Sequence, residues 1–98
     1  NDYSINESLF HWQSQSTTAE TSSTGQRYIH HKERGSKVLL FVREFKADRV
    51  TGGAEAYTYL GTARYVKHEG SRPMNITWQL DRPIPAKFLK KTNKLVVG

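Results

Sequence analysis

The apolar run from Val38 to Val42 constrains the fold of this chain more than any other stretch. It lies within K-V-L-L-F-V-R-E-F-K, residues 37–46, and for five consecutive positions it offers no polar side chain to water. A run this short, rich in β-branched and aromatic residues, is typical of a strand that is buried on both faces. We therefore predict a central β-strand whose alternate side chains are buried on opposite sides. Val38, Leu40 and Val42 are expected on one side, and Leu39 and Phe41 on the other.

Four further stretches are interpreted as strands because the character of their side chains alternates. They are Ser8–Gln15, Gln26–Lys32, Glu55–His68 and residues 74–81. The clearest alternation is in the last of them, where one face carries Met74, Ile76, Trp78 and Leu80. Within Glu55–His68, Gly61 interrupts a row of tyrosines, which indicates either a β-bulge, at which the two faces of the strand would exchange, or a close approach of another backbone.

The remaining segments are interpreted as turns, a loop and a short helix. Asp48–Gly53 and Glu69–Pro73 have the composition of turns, and Ser16–Gly25 is a polar surface loop rich in Ser and Thr. Ala86–Lys94 is predicted to form one short helix with Phe88 and Leu89 turned inward. The pattern favours an all-β fold, or a β fold with one short C-terminal helix, built as a small barrel or sandwich of five to six mostly antiparallel strands.

The expected organisation is a single β-rich domain over residues 1–98, excised from a larger protein, with residues 1–7 as the remnant of a linker. The chain has no cysteine, which excludes disulfides and thiolate metal sites. No apolar run approaches the roughly 18 residues of a membrane helix, and no signal peptide is visible. We therefore expect a cytoplasmic protein with no membrane partner.

Charge is the most informative bulk property. Fifteen Lys and Arg residues against nine Asp and Glu give a formal net charge of +6. An excess of this kind favours a polyanionic partner, of which nucleic acid is the first to consider. The alternative is a domain whose basic surface is merely solvated.

Signals for catalysis are weak. Glu44-Phe45-Lys46 matches the E-x-K half of a metal-dependent nuclease site, but no Pro-Asp pair supplies the further acidic ligand that such a site needs. His30 and His31 are adjacent, and neighbouring residues of a strand point to opposite faces, so they do not share a metal easily. We expect a binding module that is not an enzyme and that has no cofactor and no metal site.

Signals for nucleic-acid binding are stronger. Recognition of an unstacked base combines aromatic rings for stacking with polar groups for the base edge and cations for the phosphates. The candidate rings are Trp12, Tyr28, Tyr57, Tyr59 and Tyr65. The candidate polar and basic groups are Gln13, Gln15, Arg27, His30, Lys32, Arg43, Arg64, Lys87, Lys90 and Lys91.

These residues predict a pocket near Trp12, Gln13 and the tyrosines that surround Gly61. The Ser16–Gly25 loop would close over a nucleotide bound there. Each assignment has a structural alternative: core packing for the tryptophans, an ordinary sheet face for the tyrosines and a solvated helix face for the C-terminal lysines.

Five ordered blocks of sequence carry a resemblance to a known domain. They are F-H-W-Q-S-Q at 10–15, G-Q-R-Y-I-H-H at 25–31, V-L-L-F-V-R-E at 38–44, Y-L-G-T-A-R-Y at 59–65 and P-M-N-I-T-W-Q-L-D-R-P-I-P at 73–85. Together they resemble an uncharacterised domain at the C-terminal end of bacterial proteins that join a phospholipase-D-like nuclease to a DEAD/DEAH-box helicase. The resemblance implies a setting in restriction-modification or antiphage defence, with the helicase and nuclease domains of the same polypeptide as partners.

A more distant likeness is to PUA-type barrels, some of which hold a flipped or modified base. It lies in Y-L-G-T-A-R-Y-V, residues 59–66, and in the P-I-P that ends the last predicted strand. Charge, aromatic residues and resemblance together favour a non-catalytic DNA-recognition module that senses a modified or flipped base. The alternative is a protein–protein docking domain within the helicase–nuclease polypeptide.

Overall fold

The computed structural model of the chain describes residues 2–43, 56–89 and, for the backbone alone, 96–97. Six strands, one helix and one 3₁₀ turn are formed by these residues. In chain order they are β1 (Tyr3–Ser4), β2 (Leu9–Gln13), α1 (Ser23–His30), β3 (Val38–Arg43), β4 (Thr58–Glu69), β5 (Asn75–Leu80), the 3₁₀ turn Ala86–Phe88 and β6 (Val96–Val97).

The strands form one antiparallel sheet in the order β1-β2-β5-β4-β3-β6, which curls into a half-barrel. The predicted β fold of five to six antiparallel strands is thereby confirmed. The middle of the sheet is the β5–β4 pair, so the apolar run in β3 is one strand away from the centre that we expected it to occupy. No helix in the described parts of the chain is long and apolar enough to cross a bilayer.

One face of the sheet carries the core, and β5 contributes most to it. Its inward side chains Ile76, Trp78 and Leu80 are buried, as is Met74 just before the strand, so the alternation predicted for 74–81 is confirmed. The core is completed by residues from β2, β3, β4 and the chain after β5: Phe10, Leu40, Val42, Leu60, Ala63, Ile84 and Phe88. Helix α1 packs on this inner face through Tyr28 and Ile29.

The prediction that β3 is buried on both faces is wrong. Leu40 and Val42 are buried and Val38 is half-buried, but Leu39 is 49% exposed and Phe41 is 37% exposed. The described residues build a sheet whose inner face is covered, so the outer side chains of β3 face solvent. The unbroken apolar run therefore predicted the strand correctly, but it did not show that only one face of the strand is covered.

The strand predicted over Gln26–Lys32 is also wrong, because these residues belong mostly to helix α1. The hydroxyl of Ser22 accepts a hydrogen bond from the Gly25 N–H at 3.0 Å and caps the helix N-terminus. Gly25 is buried so close to the preceding loop that an added Cβ would lie 2.2 Å from the Ala19 carbonyl oxygen. Gly25, Tyr28 and Ile29 share one face at helical spacing, a signal that the short window of alternating side chains concealed.

The loop predicted over Ser16–Gly25 is correct only up to the helix cap, and Thr18 and Ala19 within it are buried.

Residues 2–4 were interpreted from the sequence as part of a linker remnant, but they lie in the sheet. The Ser4 hydroxyl donates to the Phe88 carbonyl oxygen at 2.6 Å, and the Asp2 carboxylate accepts the Gln13 N–H at 2.8 Å. Burial raises the pKa of Asp2 above its usual value.

Of the two alternatives predicted at Gly61, the β-bulge is confirmed. Leu40 pairs with Gly61 and Phe41 with Tyr59, so Leu60 is the additional residue, and Gly61 has a φ of 101°. The exchange of faces that follows places Tyr59 on the outer face, whereas Ala63 and Tyr65 lie on the inner face.

Three predictions fall outside the described residues. They are the turn over Asp48–Gly53, the E-x-K residues 44–46 and the part of the C-terminal helix beyond Leu89.

Candidate functional site

A cleft of about 180 Å³ opens between helix α1 and the inner face of the sheet. We call it the aromatic cleft. Its walls carry two tryptophans and a tyrosine, and none of the described lining side chains is charged: they are Trp12, Tyr28, Val38, Leu39, Leu40, Ala63 and Trp78.

The three rings of the aromatic cleft meet at steep angles. Tyr28 lies edge-on to Trp12, with ring centroids 5.1 Å apart, and edge-on to Trp78 at 6.2 Å. Trp78 comes from the middle of the sheet and is 3% exposed, so it forms the floor. Trp12 from β2 and Tyr28 from α1 are half-buried and form the rim. Edge-to-face contacts of this kind fix ring orientation, so the cleft is preorganised.

A second hollow of about 290 Å³ adjoins the aromatic cleft, and we call it the basic groove. It shares Val38 and Ala63 with the cleft as a common wall. The described lining residues include three cations, Lys32, Lys37 and Arg64, and one carboxylate, Asp81. Arg64 is already paired with Asp81, at 3.1 Å between Nε and Oδ1. The two lysines therefore give the groove its net positive charge.

His31 is buried at the boundary of the two hollows and joins three elements. Its Nδ1 lies 2.9 Å from the Ser36 carbonyl oxygen, and its Nε2 accepts the Tyr65 N–H at 3.2 Å. Because a carbonyl oxygen only accepts, Nδ1 carries the proton and Nε2 is the acceptor, which is one defined neutral tautomer. The imidazole thus ties the end of α1, the turn before β3 and strand β4 together.

We expect His31→Ala to lower the free energy of unfolding by roughly 2–3 kcal/mol, because the change removes a buried imidazole and two part-buried hydrogen bonds, to the Tyr65 N–H and the Ser36 carbonyl. Urea denaturation followed by circular dichroism measures the loss. His30→Ala is the matched control, since His30 is the preceding residue and its side chain is 38% exposed beside Glu33. Equal losses in the two variants would contradict the bridging role of His31.

A chain of three side chains holds the 14–22 segment against β4. The Tyr65 hydroxyl lies 2.7 Å from His68 Nδ1, and His68 Nε2 lies 2.6 Å from a carboxylate oxygen of Glu20. The Glu20 N–H donates to the Ser71 hydroxyl at 3.0 Å. Burial, and secondarily the negative charge of Glu20, raise the pKa of Tyr65. The segment that we predicted to close over a nucleotide is therefore tied down beside the sheet.

Most of the chain matches a family of protein domains. The sequence model of the family described as "Domain of unknown function (DUF3427)" matches residues 1–92. The chain belongs to this family. No curated protein and no solved structure matches it.

The structure brings part of the predicted site of this DUF3427 domain together. Trp12 and Tyr28 lie on the rim of the aromatic cleft, and Lys32 and Arg64 line the basic groove. Tyr65 lies beside the cleft floor on the neighbouring strand, with its ring centroid 6.3 Å from that of Trp78. The two kinds of contact that we predicted, aromatic and basic, are thus adjacent.

Other predicted residues lie away from this site, so the prediction of one pocket that contains them together with Trp12 is wrong. Gln13 points to the outer face, where its amide nitrogen is 3.3 Å from the Asn75 side-chain oxygen, because neighbouring residues of a strand face opposite ways. Tyr57, Tyr59 and Arg43 lie on the outer side of β3 and β4, beyond the bulge.

Four other predicted residues, all within the described part of the chain, line neither hollow. Gln15 and Arg27 are exposed, His30 faces Glu33, and the Lys87 ammonium lies 4.8 Å from the centroid of the Phe88 ring. Lys90 and Lys91 lie outside the described residues.

Sequence reasoning missed three residues of the DUF3427 site, namely the lining residues Lys37 and Val38 and the bridging His31. Val38 begins the apolar run and Lys37 immediately precedes it, so the start of the predicted strand could have identified both residues. His31 was considered only as a metal ligand. Its role depends on a helix and a strand that are 34 residues apart in the chain, and no local pattern reveals such a contact.

Proposed function

We propose that this DUF3427 domain is a non-catalytic DNA-recognition module that takes one flipped or modified base into the aromatic cleft. The phosphates that flank the base are held in the basic groove. The observation that carries the proposal is the shared wall of Val38 and Ala63, which places an uncharged aromatic hollow directly beside a cationic one.

The size of the aromatic cleft supports a single base as the ligand. An apolar cavity of about 150 Å³ is enough to bind one benzene molecule, so a cleft of about 180 Å³ suits one base ring and not a base pair. A base within a duplex does not reach such a cleft, and it must be unpaired or turned out of the stack. Within the described lining, discrimination between bases would rest on shape and apolar contact more than on hydrogen bonds to the base edge.

The charges of the basic groove support a phosphate contact. Lys32 and Lys37 are exposed and line the same hollow, on a chain whose formal net charge is +6. Lysine side chains position a nucleic acid through its phosphates and carry no sequence information directly. The groove would hold the backbone while the cleft holds the base.

We place this module in a bacterial helicase–nuclease protein of restriction or antiphage defence. The five ordered sequence blocks described above support that setting. In it the helicase and nuclease domains would act on DNA that the module has recognised. A role as a protein-docking domain within the same polypeptide is the competing function.

The double variant Lys32→Ala, Lys37→Ala tests the phosphate contact. We expect it to weaken binding to all duplex sequences alike, because phosphate contacts are independent of sequence. The slope of log affinity against log salt concentration should become shallower by about 0.9 for each phosphate that is no longer neutralised. Fluorescence anisotropy with a labelled duplex carrying one unpaired base, measured over a salt series, gives both quantities.

A matched control, the double variant Lys67→Ala, Lys87→Ala, also removes two positive charges, but from residues that do not line the groove. We expect this control to change the salt slope less than the groove variant does. Equal slopes in the control, the groove variant and the parent would contradict a phosphate contact in the groove. Absence of DNA binding by the parent would contradict the proposed function itself.

A further inference from the structure

Four side chains on the outer face of the sheet form a compact group, consisting of three exposed rings and one half-buried arginine. Phe41 and Tyr59 pair across β3 and β4 with ring centroids 5.0 Å apart. Beside them, the Arg43 guanidinium carbon lies 4.5 Å from the centroid of the Tyr57 ring. We call Phe41, Arg43, Tyr57 and Tyr59 the outer block. It lies on the face of the sheet opposite to the aromatic cleft.

The rings of the outer block are open to solvent. Phe41, Tyr57 and Tyr59 are 37%, 40% and 46% exposed, respectively. Three exposed aromatic rings on neighbouring strand positions form an apolar surface that core packing does not explain. The Gly61 bulge is the cause, because it turns Tyr59 outward while the following residues Ala63 and Tyr65 face the core.

We propose that the outer block is a second DNA contact, a stacking platform for consecutive bases of a single strand. This proposal rests on the proposed function only because it takes DNA as the ligand. The four side chains of the outer block do not line the aromatic cleft. Tyr57 and Tyr59 are two residues apart, so their rings stand about 6–7 Å apart along the extended chain. Every base has a π face, so platforms of this kind accept any sequence.

Charge complementarity favours a nucleic acid over an apolar protein partner. Arg43 stacks on Tyr57, and a guanidinium on an aromatic face adds a cation–π contact and a positive charge to the platform. Exposed aromatic rings beside a guanidinium group are a combination that single-strand binding uses.

The aromatic cleft and the outer block lie on opposite faces of one sheet. A base in the cleft and a strand on the outer block would therefore not compete for the same side chains. Substitutions in the outer block should affect single-strand binding, whereas substitutions in the cleft should affect capture of an unpaired base from a duplex.

The test uses the 98-residue chain and a fluorescein-labelled oligothymidylate, with anisotropy as the readout. We expect Phe41→Leu, Tyr59→Leu to weaken oligothymidylate binding at least about 5-fold, because each ring that is removed takes away the stacking of one base. Leucine keeps an apolar side chain on the strand and removes only the ring. Val66→Thr is the control, since Val66 is an apolar residue of β4 without a ring, is 46% exposed and lines neither the aromatic cleft nor the basic groove.

A second measurement needs no substitution. Photocrosslinking of the parent chain to an oligonucleotide that carries 5-bromodeoxyuridine should place the crosslink on Phe41, Tyr57 or Tyr59. Crosslinks confined to other residues, or oligothymidylate binding by the leucine variant equal to that of the parent, would overturn the proposal and leave the outer block as a protein-docking surface. If the parent binds the duplex with an unpaired base and only the outer-block results fail, the proposed function of the cleft still stands.

Discussion

Replacing Leu40 by Asp is expected to leave the domain unfolded. Leu40 is 4% exposed, on the inner face of β3, and it belongs to the buried core cluster. A carboxylate at this position would be buried without a partner, at a cost of several kcal/mol. The whole stability of a small domain is about 5–15 kcal/mol, so one such cost is enough to remove most of the folded population. Far-UV circular dichroism and urea denaturation of the purified variant measure the result.

The adjacent residue supplies the control for this prediction. Leu39→Asp introduces the same carboxylate one position earlier, at a side chain that also lines the aromatic cleft but is 49% exposed. We expect that variant to fold and to lose less than about 1 kcal/mol, as substitutions at the surface usually do. Unfolding of both variants would mean that the outer face of β3 is covered in the protein, and retention of the fold in Leu40→Asp would place Leu40 outside the core.

The contrast between Leu39 and Leu40 shows what the sequence could predict about the fold. A period-two pattern identified β2, β4 and β5 because polar and apolar residues alternate along them. In β3 both faces carry apolar residues, so the pattern identified a strand without revealing how many of its faces are covered. That depends on which elements pack on the sheet, and among the described residues α1 and the chain after β5 cover the inner face.

Helix α1 was missed for a different reason. The stretch from Gln26 to Lys32 fits a strand about as well as a helix, since side-chain character changes at nearly every position. The deciding contacts are the Ser22 cap and the close approach of Gly25 to the Ala19 carbonyl. Both involve residues of the preceding loop, which lay outside the window in which the strand pattern was read.

The candidate site was predictable in its residue types and less so in its geometry. Trp12, Tyr28, Lys32 and Arg64 were all identified from the sequence as aromatic or basic candidates. Their assembly depends on the bulge at Gly61 and on a helix where a strand was expected. Because of the same bulge, Tyr59 lies on the face opposite to Trp12 and Tyr28. The residues predicted to form one pocket therefore lie on two separate surfaces.

Removal of the Tyr28 ring is the prediction that tests the aromatic cleft most directly. Stacking of one base on an aromatic side chain contributes about 1–3 kcal/mol, so Tyr28→Ala should weaken binding to a duplex with one unpaired base by about 5- to 150-fold. The slope of log affinity against log salt should stay unchanged, because the variant still neutralises the same phosphates. Anisotropy titrations over the salt series used for Lys32 and Lys37 separate these two effects.

Two control measurements accompany the Tyr28→Ala titration: the affinity of Tyr28→Phe and the stability of Tyr28→Ala. Tyr28→Phe retains the ring, and with it the edge contacts to Trp12 and Trp78 at 5.1 and 6.2 Å, so it should bind like the parent. Urea denaturation of Tyr28→Ala shows whether the variant remains folded, since Tyr28 also packs on the core. If Tyr28→Ala is folded and binds the duplex as tightly as the parent, no base stacks on Tyr28 in the aromatic cleft. If Tyr28→Phe loses as much affinity as Tyr28→Ala, the hydroxyl and not the ring makes the contact.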